Sequence, residues 1–214
     1  MITYLFTNPL LFIFWAAALL IGITIHEFAH AWTADRLGDP TGKIEGRETL
    51  NPLAHLDPIG TALILFTGFG WGKPVPFDPF NLKDVKKDSA LISLAGPVSS
   101  LLLAILAALL IRISTTIFIP SIIISFLYAV VQLNVMLGIF NLIPVHPLDG
   151  GKVLIGLLPD NISDDVDRFL HQYGIIILLF LFFFPLGSTS YISMIISPII
   201  NSIFSLLLPG FSMV

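Results

Sequence analysis

The chain has 214 residues, of which 56% are hydrophobic and only 11% charged, and its mean hydropathy is +0.94. Soluble domains usually carry about 25% charged residues, so this composition excludes an ordinary soluble globule. A net charge of −4 with no basic stripe argues against a nucleic-acid binder, and zero cysteines exclude a disulfide framework, a thiolate-ligated metal and a cysteine nucleophile.

The first residues, MITYLFTNPL, lack the positive n-region and small-residue cleavage site of a secretory signal. The first apolar segment is therefore read as a retained helix. A spanning helix needs about 20 mostly apolar residues. Leu10–Ile25 is uncharged, and the apolar pattern runs on to Trp32. Ser89–Ile111 and Ile113–Ile143 are two further uncharged runs, the second with Pro120 marking a helix start. The apolar stretch after His171 breaks at the turn-rich PLGSTS, Pro185–Ser190, which predicts two helices at 173–185 and 190–208. The fold class expected is an all-α membrane protein, a polytopic bundle of five spans. The whole of 1–214 reads as one domain, with a core over 8–158 and C-terminal helices over 170–210.

Asp35–Asp88, between the first two spans, is rich in Gly, Pro and polar residues. Within it Lys43–Leu50 is suited to short strands. Ile59–Phe66 is too short for periodicity to choose between helix and strand. Every Lys and Arg except Arg112 falls in this loop or in 144–170. By the positive-inside rule these loops are cytoplasmic and the N-terminus is outside. The Lys86–Lys87 pair then reads as a cytoplasmic anchor.

The first span ends in HEFAH, residues 26–30. Positions i and i+4 stack on one helix face, so His26 and His30 can grip one metal ion. Glu27 lies about 100° round the helix, placed to act on water at that metal rather than to ligate it. This is the H-E-x-x-H arrangement of zinc hydrolases. Ionisable residues at membrane depth are costly and functional by default. A helix entering the bilayer near Leu10 carries His26 roughly 24 Å into a core about 30 Å thick.

Catalytic zinc usually has three protein ligands and one open position. The third candidate is Asp149 in NLIPVHPLDGG, residues 141–151, where prolines and glycines break the end of the third apolar run. Irregular backbone at this depth must be buried or line a wet cavity. Asp149 alone is as well explained as an N-cap for a helix beginning at Gly150. Beside HEFAH, the ligand reading is the better one.

HEFAH, then SLAGPVSS, then NLIPVHPLDGG, in that order, resemble the site-2 protease family of intramembrane zinc metalloproteases. GRETLNPLAHLDPIGT and GWGKPVPFDPFNLKD are similar to loops of its compact prokaryotic branch, which lacks PDZ and CBS domains. The resemblance covers residues 20–155. It implies a three-helix catalytic core, one Zn²⁺ held by His26, His30 and Asp149, and Glu27 as the base that activates water. It implies a prokaryotic cell membrane, cleavage in or near transmembrane segments of other membrane proteins, and regulated intramembrane proteolysis. It also implies that Asn141 contacts the substrate backbone or the developing oxyanion, and that Gly96 allows close approach of another chain. Ser100 stands where the family often has asparagine. The segment 41–50 is similar to membrane-associated strands thought to hold substrate, which predicts a small β-hairpin in the first loop.

His146 could reach the zinc site as an accessory group or simply hydrogen-bond within its turn, and the second reading is preferred. His55, near Asp57, reads as structural. The rival function is a membrane protein that binds metal without catalysis, either a pseudoprotease or a zinc transporter. A transporter would string ligands along a path, whereas here they gather at one depth. A pseudoprotease would usually have lost Glu27 or a ligand. A prenyl-protein-processing type of zinc protease would favour a glutamate third ligand and a larger chamber, which PLDGG and this length do not match.

Overall fold

The computed structural model describes residues 2–67, 70–114, 116–186 and 189–209. Nine helices follow one another among these residues: α1 Ile2–Thr7, α2 Pro9–Leu37, α3 Thr41–Ile44, α4 Pro58–Thr67, α5 Val85–Ile113, α6 Ser121–Asn141, α7 Asp149–Leu157, α8 Asp160–Phe183 and α9 Tyr191–Leu207. Two-residue strands, β1 Pro185–Leu186 and β2 Thr189–Ser190, form a short antiparallel pair before α9.

Local chemistry sets the helix ends. The Asn8 side chain accepts from the Leu11 N–H at 3.1 Å, and Pro9 occupies the first turn of α2, where its missing donor costs nothing. Gly38, at φ 110°, closes the same helix in the left-handed conformation. Asp84 caps α5 by accepting from the Lys87 N–H at 3.0 Å.

Helix α5 is central and packs against α2, α6 and α7. The buried crossings are rich in small side chains: Ala18 on α2, Ala104, Ala107 and Ala108 on α5, and Ala129 on α6. In lipid, helices gain little by hiding apolar surface from one another. Close van der Waals packing of small residues does the work instead. Large apolar side chains remain on the outside, among them Ile13, Leu106, Ile176 and Phe183. Such a surface suits acyl chains and would be unstable in water. The protein is an integral helical membrane protein.

Three expectations need correction. Among the described residues four helices, α2, α5, α6 and α8, are long and apolar enough to span, where about five are expected. The helix expected at 173–185 starts much earlier, at Asp160, so its charged first turns and apolar second half make one long helix. That leaves α9 with 17 residues, roughly 25 Å at about 1.5 Å per residue, short of a core about 30 Å thick.

The β-hairpin expected at 41–50 is not formed. Thr41–Ile44 is a helical turn, and Gly46 at φ 70° reverses the chain after it. Side chains, not a strand partner, take up the loop's polar groups. The fully buried Asp39 accepts from the Thr41 N–H at 3.1 Å, the Asp78 N–H at 2.8 Å and the Asn81 Nδ2 at 2.8 Å. Arg47, also buried, donates to the carbonyls of Ala54, Lys73 and Pro74. His55 is buried with Nε2 2.8 Å from the Thr49 carbonyl. The short apolar run at 59–66 resolves as helix, α4.

Candidate metal centre

Helix α2 carries His26, Glu27 and His30 in its C-terminal half. The i, i+4 spacing puts both imidazoles on the face turned toward α5, with ring centroids 4.8 Å apart. The loop after α6 returns the chain so that Asp149, the first residue of α7, meets them. Asp149 Oδ2 lies 3.1 Å from His26 Nε2 and 3.4 Å from His30 Nε2. Both histidines are buried, at 5% and 8% exposure. Ligands about 2.1 Å from a tetrahedral zinc stand about 3.4 Å from each other, so this spacing fits one ion.

The opposite nitrogens are also engaged. His30 Nδ1 lies 2.7 Å from the Ile92 carbonyl on α5. A carbonyl only accepts, so Nδ1 carries the proton and Nε2 presents its lone pair to the metal position. His26 Nδ1 lies 3.0 Å from the buried Ser100 Oγ. When Nε2 ligates, Nδ1–H donates to that hydroxyl. Such outer hydrogen bonds fix ring orientation and raise ligand basicity. Neither partner is visible as a ligand in the sequence. Ser100 was marked only by its place in a motif, and a backbone carbonyl leaves no sequence signal at all.

Gly96 on α5 leaves open the space beside the two histidines. A Cβ built there would sit 2.3 Å from His30 Nε2 and 2.6 Å from His26 Nε2. The two lone pairs thus converge over a bare backbone position. Gly96 therefore opens the space at the histidine pair itself.

Glu27 is half-buried, and its carboxylate points toward Gly72, whose built Cβ would lie 3.8 Å from Oε1. Asn141 ends α6, and its Nδ2 donates back to the Leu137 carbonyl at 2.9 Å. Its side-chain oxygen and second N–H are left over from that bond. His146 turns toward α8, with Nε2 3.1 Å from Asp167 Oδ1. It thus joins a second group of side chains rather than the His26, His30 and Asp149 cluster.

Asn134, buried on α6, was also missed by sequence reasoning. Its Nδ2 donates to the Val130 carbonyl at 2.8 Å, while Oδ1 has no hydrogen-bond partner and faces Gly22 of α2. Its signal was available, since an asparagine two turns before Asn141 interrupts an otherwise apolar run.

A family model described as Peptidase family M50 matches residues 111–181. The chain is 40% identical over 176 residues to "Putative zinc metalloprotease YwhC" of Bacillus subtilis, covering 79% of this chain and 80% of that protein. It is 29% identical over 184 residues to "Putative zinc metalloprotease Rip2" of Mycolicibacterium smegmatis, covering 81% and 68%. It is 31% identical over 149 residues to "Zinc metalloprotease MJ0392" of Methanocaldococcus jannaschii, covering 68% and 35%. No solved structure matches significantly.

Proposed function

Because the chain belongs to peptidase family M50, the site-2 proteases, we propose that it is an intramembrane zinc endopeptidase that hydrolyses peptide bonds in or near transmembrane segments of other membrane proteins. The observation that carries this reading is the convergence of His26, His30 and Asp149 over Gly96, between helices that are apolar enough to span a bilayer. The donor set, two imidazoles and a carboxylate, suits zinc and leaves a fourth position open.

In this reading His26, His30 and Asp149 hold the ion. Zinc bound there would supply Lewis acidity, making water far more acidic than in bulk and polarising the scissile carbonyl. Glu27, one residue round the helix from a ligand, takes the proton of the attacking water. It returns that proton to the amine that leaves, so its carboxylate is regenerated each turnover. Ser100 and the Ile92 carbonyl keep the two imidazoles oriented throughout. Asn141 offers its free N–H to a substrate carbonyl. A helical carbonyl is shielded by its own hydrogen bond, so the substrate must unwind before it reaches Glu27. The expected setting is a prokaryotic cell membrane with the 35–88 loop on the cytoplasmic side, which the basic residues favour. Cleavage there would release a membrane-tethered regulator.

The test pairs zinc content with cleavage of a transmembrane reporter in detergent or vesicles. Glu27→Gln should keep about one zinc in this centre and lose about 10²- to 10⁴-fold in rate. Wild-type turnover by that variant would remove Glu27 as the base. Zinc bound by the wild type with no cleavage of any transmembrane reporter would favour the binding-only rival.

A further inference from the structure

A second cluster of metal-ligating side chains stands apart from the first. His146, from the loop between α6 and α7, meets Asp167 and His171 of α8. Asp167 and His171 are four apart, so α8 displays both on one face. His146 Nε2 lies 3.1 Å from Asp167 Oδ1, and His171 Nε2 lies 3.6 Å from the same oxygen. These values bracket the separation of about 3.4 Å expected between ligands of a tetrahedral zinc. The two imidazoles stack at a centroid distance of 4.2 Å, with 23° between their planes.

The backbone is shaped to put His146 there. A Cβ on Gly174 of α8 would sit 2.3 Å from the His146 carbonyl oxygen, and one on Gly151 of α7 would sit 2.8 Å from His146 Nδ1. Two bare positions thus let the His146 loop wedge between α7 and α8. The three side chains line a cavity of about 640 Å³ that none of His26, His30 and Asp149 lines. Asp164 lines it too, an oxygen donor one turn back along α8. Lys152, the nearby cation, rests its ammonium over the Phe77 ring, 4.1 Å from the centroid.

We propose that His146, Asp167 and His171 form a second divalent-metal site, suited to Zn²⁺, that ties α8 to the loop carrying Asp149. Its donor set is imidazole-rich, which selects zinc-like transition metals over Ca²⁺ or Mg²⁺. A hydrogen bond between His146 and Asp167 alone would explain one distance. Helix spacing alone sets His171 beside Asp167, but neither it nor that hydrogen bond accounts for the meeting of His146, from a separate loop, with the His171 ring at 4.2 Å between centroids. The site does not depend on the peptidase reading, because no ligand is shared between the two clusters.

The experiment is Zn²⁺ titration of the metal-stripped, detergent-purified full chain, with Co²⁺ absorption as the spectroscopic signature of coordination. The wild type should take up two ions per chain. His171→Ala and Asp167→Asn should each take up one. The side chain of His171 is 64% exposed, so its removal leaves the core intact. His30→Ala with Asp149→Asn should lose the other ion and keep this one. The visible Co²⁺ bands of that double variant should vanish on adding His171→Ala. Uptake of one ion by the wild type, unchanged in His171→Ala, overturns the proposal. So does a second ion that survives both Asp167→Asn and His171→Ala.

Discussion

Replacing Gly96 by alanine adds one methyl group and separates two explanations of that glycine. The new Cβ would stand 2.3 Å from His30 Nε2 and 2.6 Å from His26 Nε2. Ordinary contact between heavy atoms is about 3.5 Å, so His30 must retreat by roughly 1 Å. A zinc–nitrogen bond is only about 2.1 Å long, and such a retreat takes the ligand out of bonding range. The Ile92 carbonyl on Nδ1 and the packing of α2 against α5 oppose the movement. Zinc affinity of the first site should fall at least about 100-fold, more than the 10- to 100-fold that loss of an outer hydrogen bond costs. Reporter cleavage should fall with it. Helix propensity points the other way, because alanine is better than glycine in a helix interior by about 1 kcal/mol. A glycine kept only for helix packing would therefore yield a variant with full zinc. Zinc content by elemental analysis, alongside cleavage rate and thermal midpoint, decides the matter. Wild-type zinc affinity and wild-type cleavage in Gly96→Ala would refute the reasoning.

Ser100→Ala should lower zinc affinity about 10- to 100-fold through loss of the partner to His26 Nδ1, with Ser100→Thr retaining part of it if its hydroxyl reaches the same nitrogen; competition with a chelator measures both. Gly22→Ala should lower the thermal midpoint of the detergent-solubilised protein, because the added Cβ would meet Asn134 Oδ1 at 2.9 Å; overpacking of this kind costs about 1–3 kcal/mol, against a propensity gain of about 1. Burial pushes the Asp39 carboxyl up, but hydrogen bonds from Thr41, Asn81 and Asp78 outweigh it and hold the group below the ordinary carboxylate range. Its contribution is therefore full above the unfolded value of about 3.9 and is lost as pH falls through the lower folded value. Limited proteolysis of the 35–88 loop across that acidic range should show the loss in wild type and a flatter profile in Asp39→Asn.

The sequence by itself determined that the chain lives in a membrane, because three long uncharged runs leave no other solvent for their side chains. It also determined the histidine pair, since i and i+4 on a helix must share a face, whatever surrounds it. It could not determine how α8 begins. A charged stretch at 160–171 looks like a loop until one sees that it continues without a break into apolar helix. It could not foresee that the 41–50 segment would be a turn, because the groups that hold it, Asp39 and Arg47, act through carbonyls and amides far along the chain. Asp149 taken alone reads equally as cap or ligand, and HEFAH tips it to ligand, but only the loop after α6 shows how it comes within 3.4 Å of both imidazoles. The space at Gly96, the tautomer of His30 and the meeting of His146 with α8 were decided only by tertiary structure. Each depends on which helix faces which, and a missing side chain or a backbone carbonyl carries no mark of its partner in the sequence.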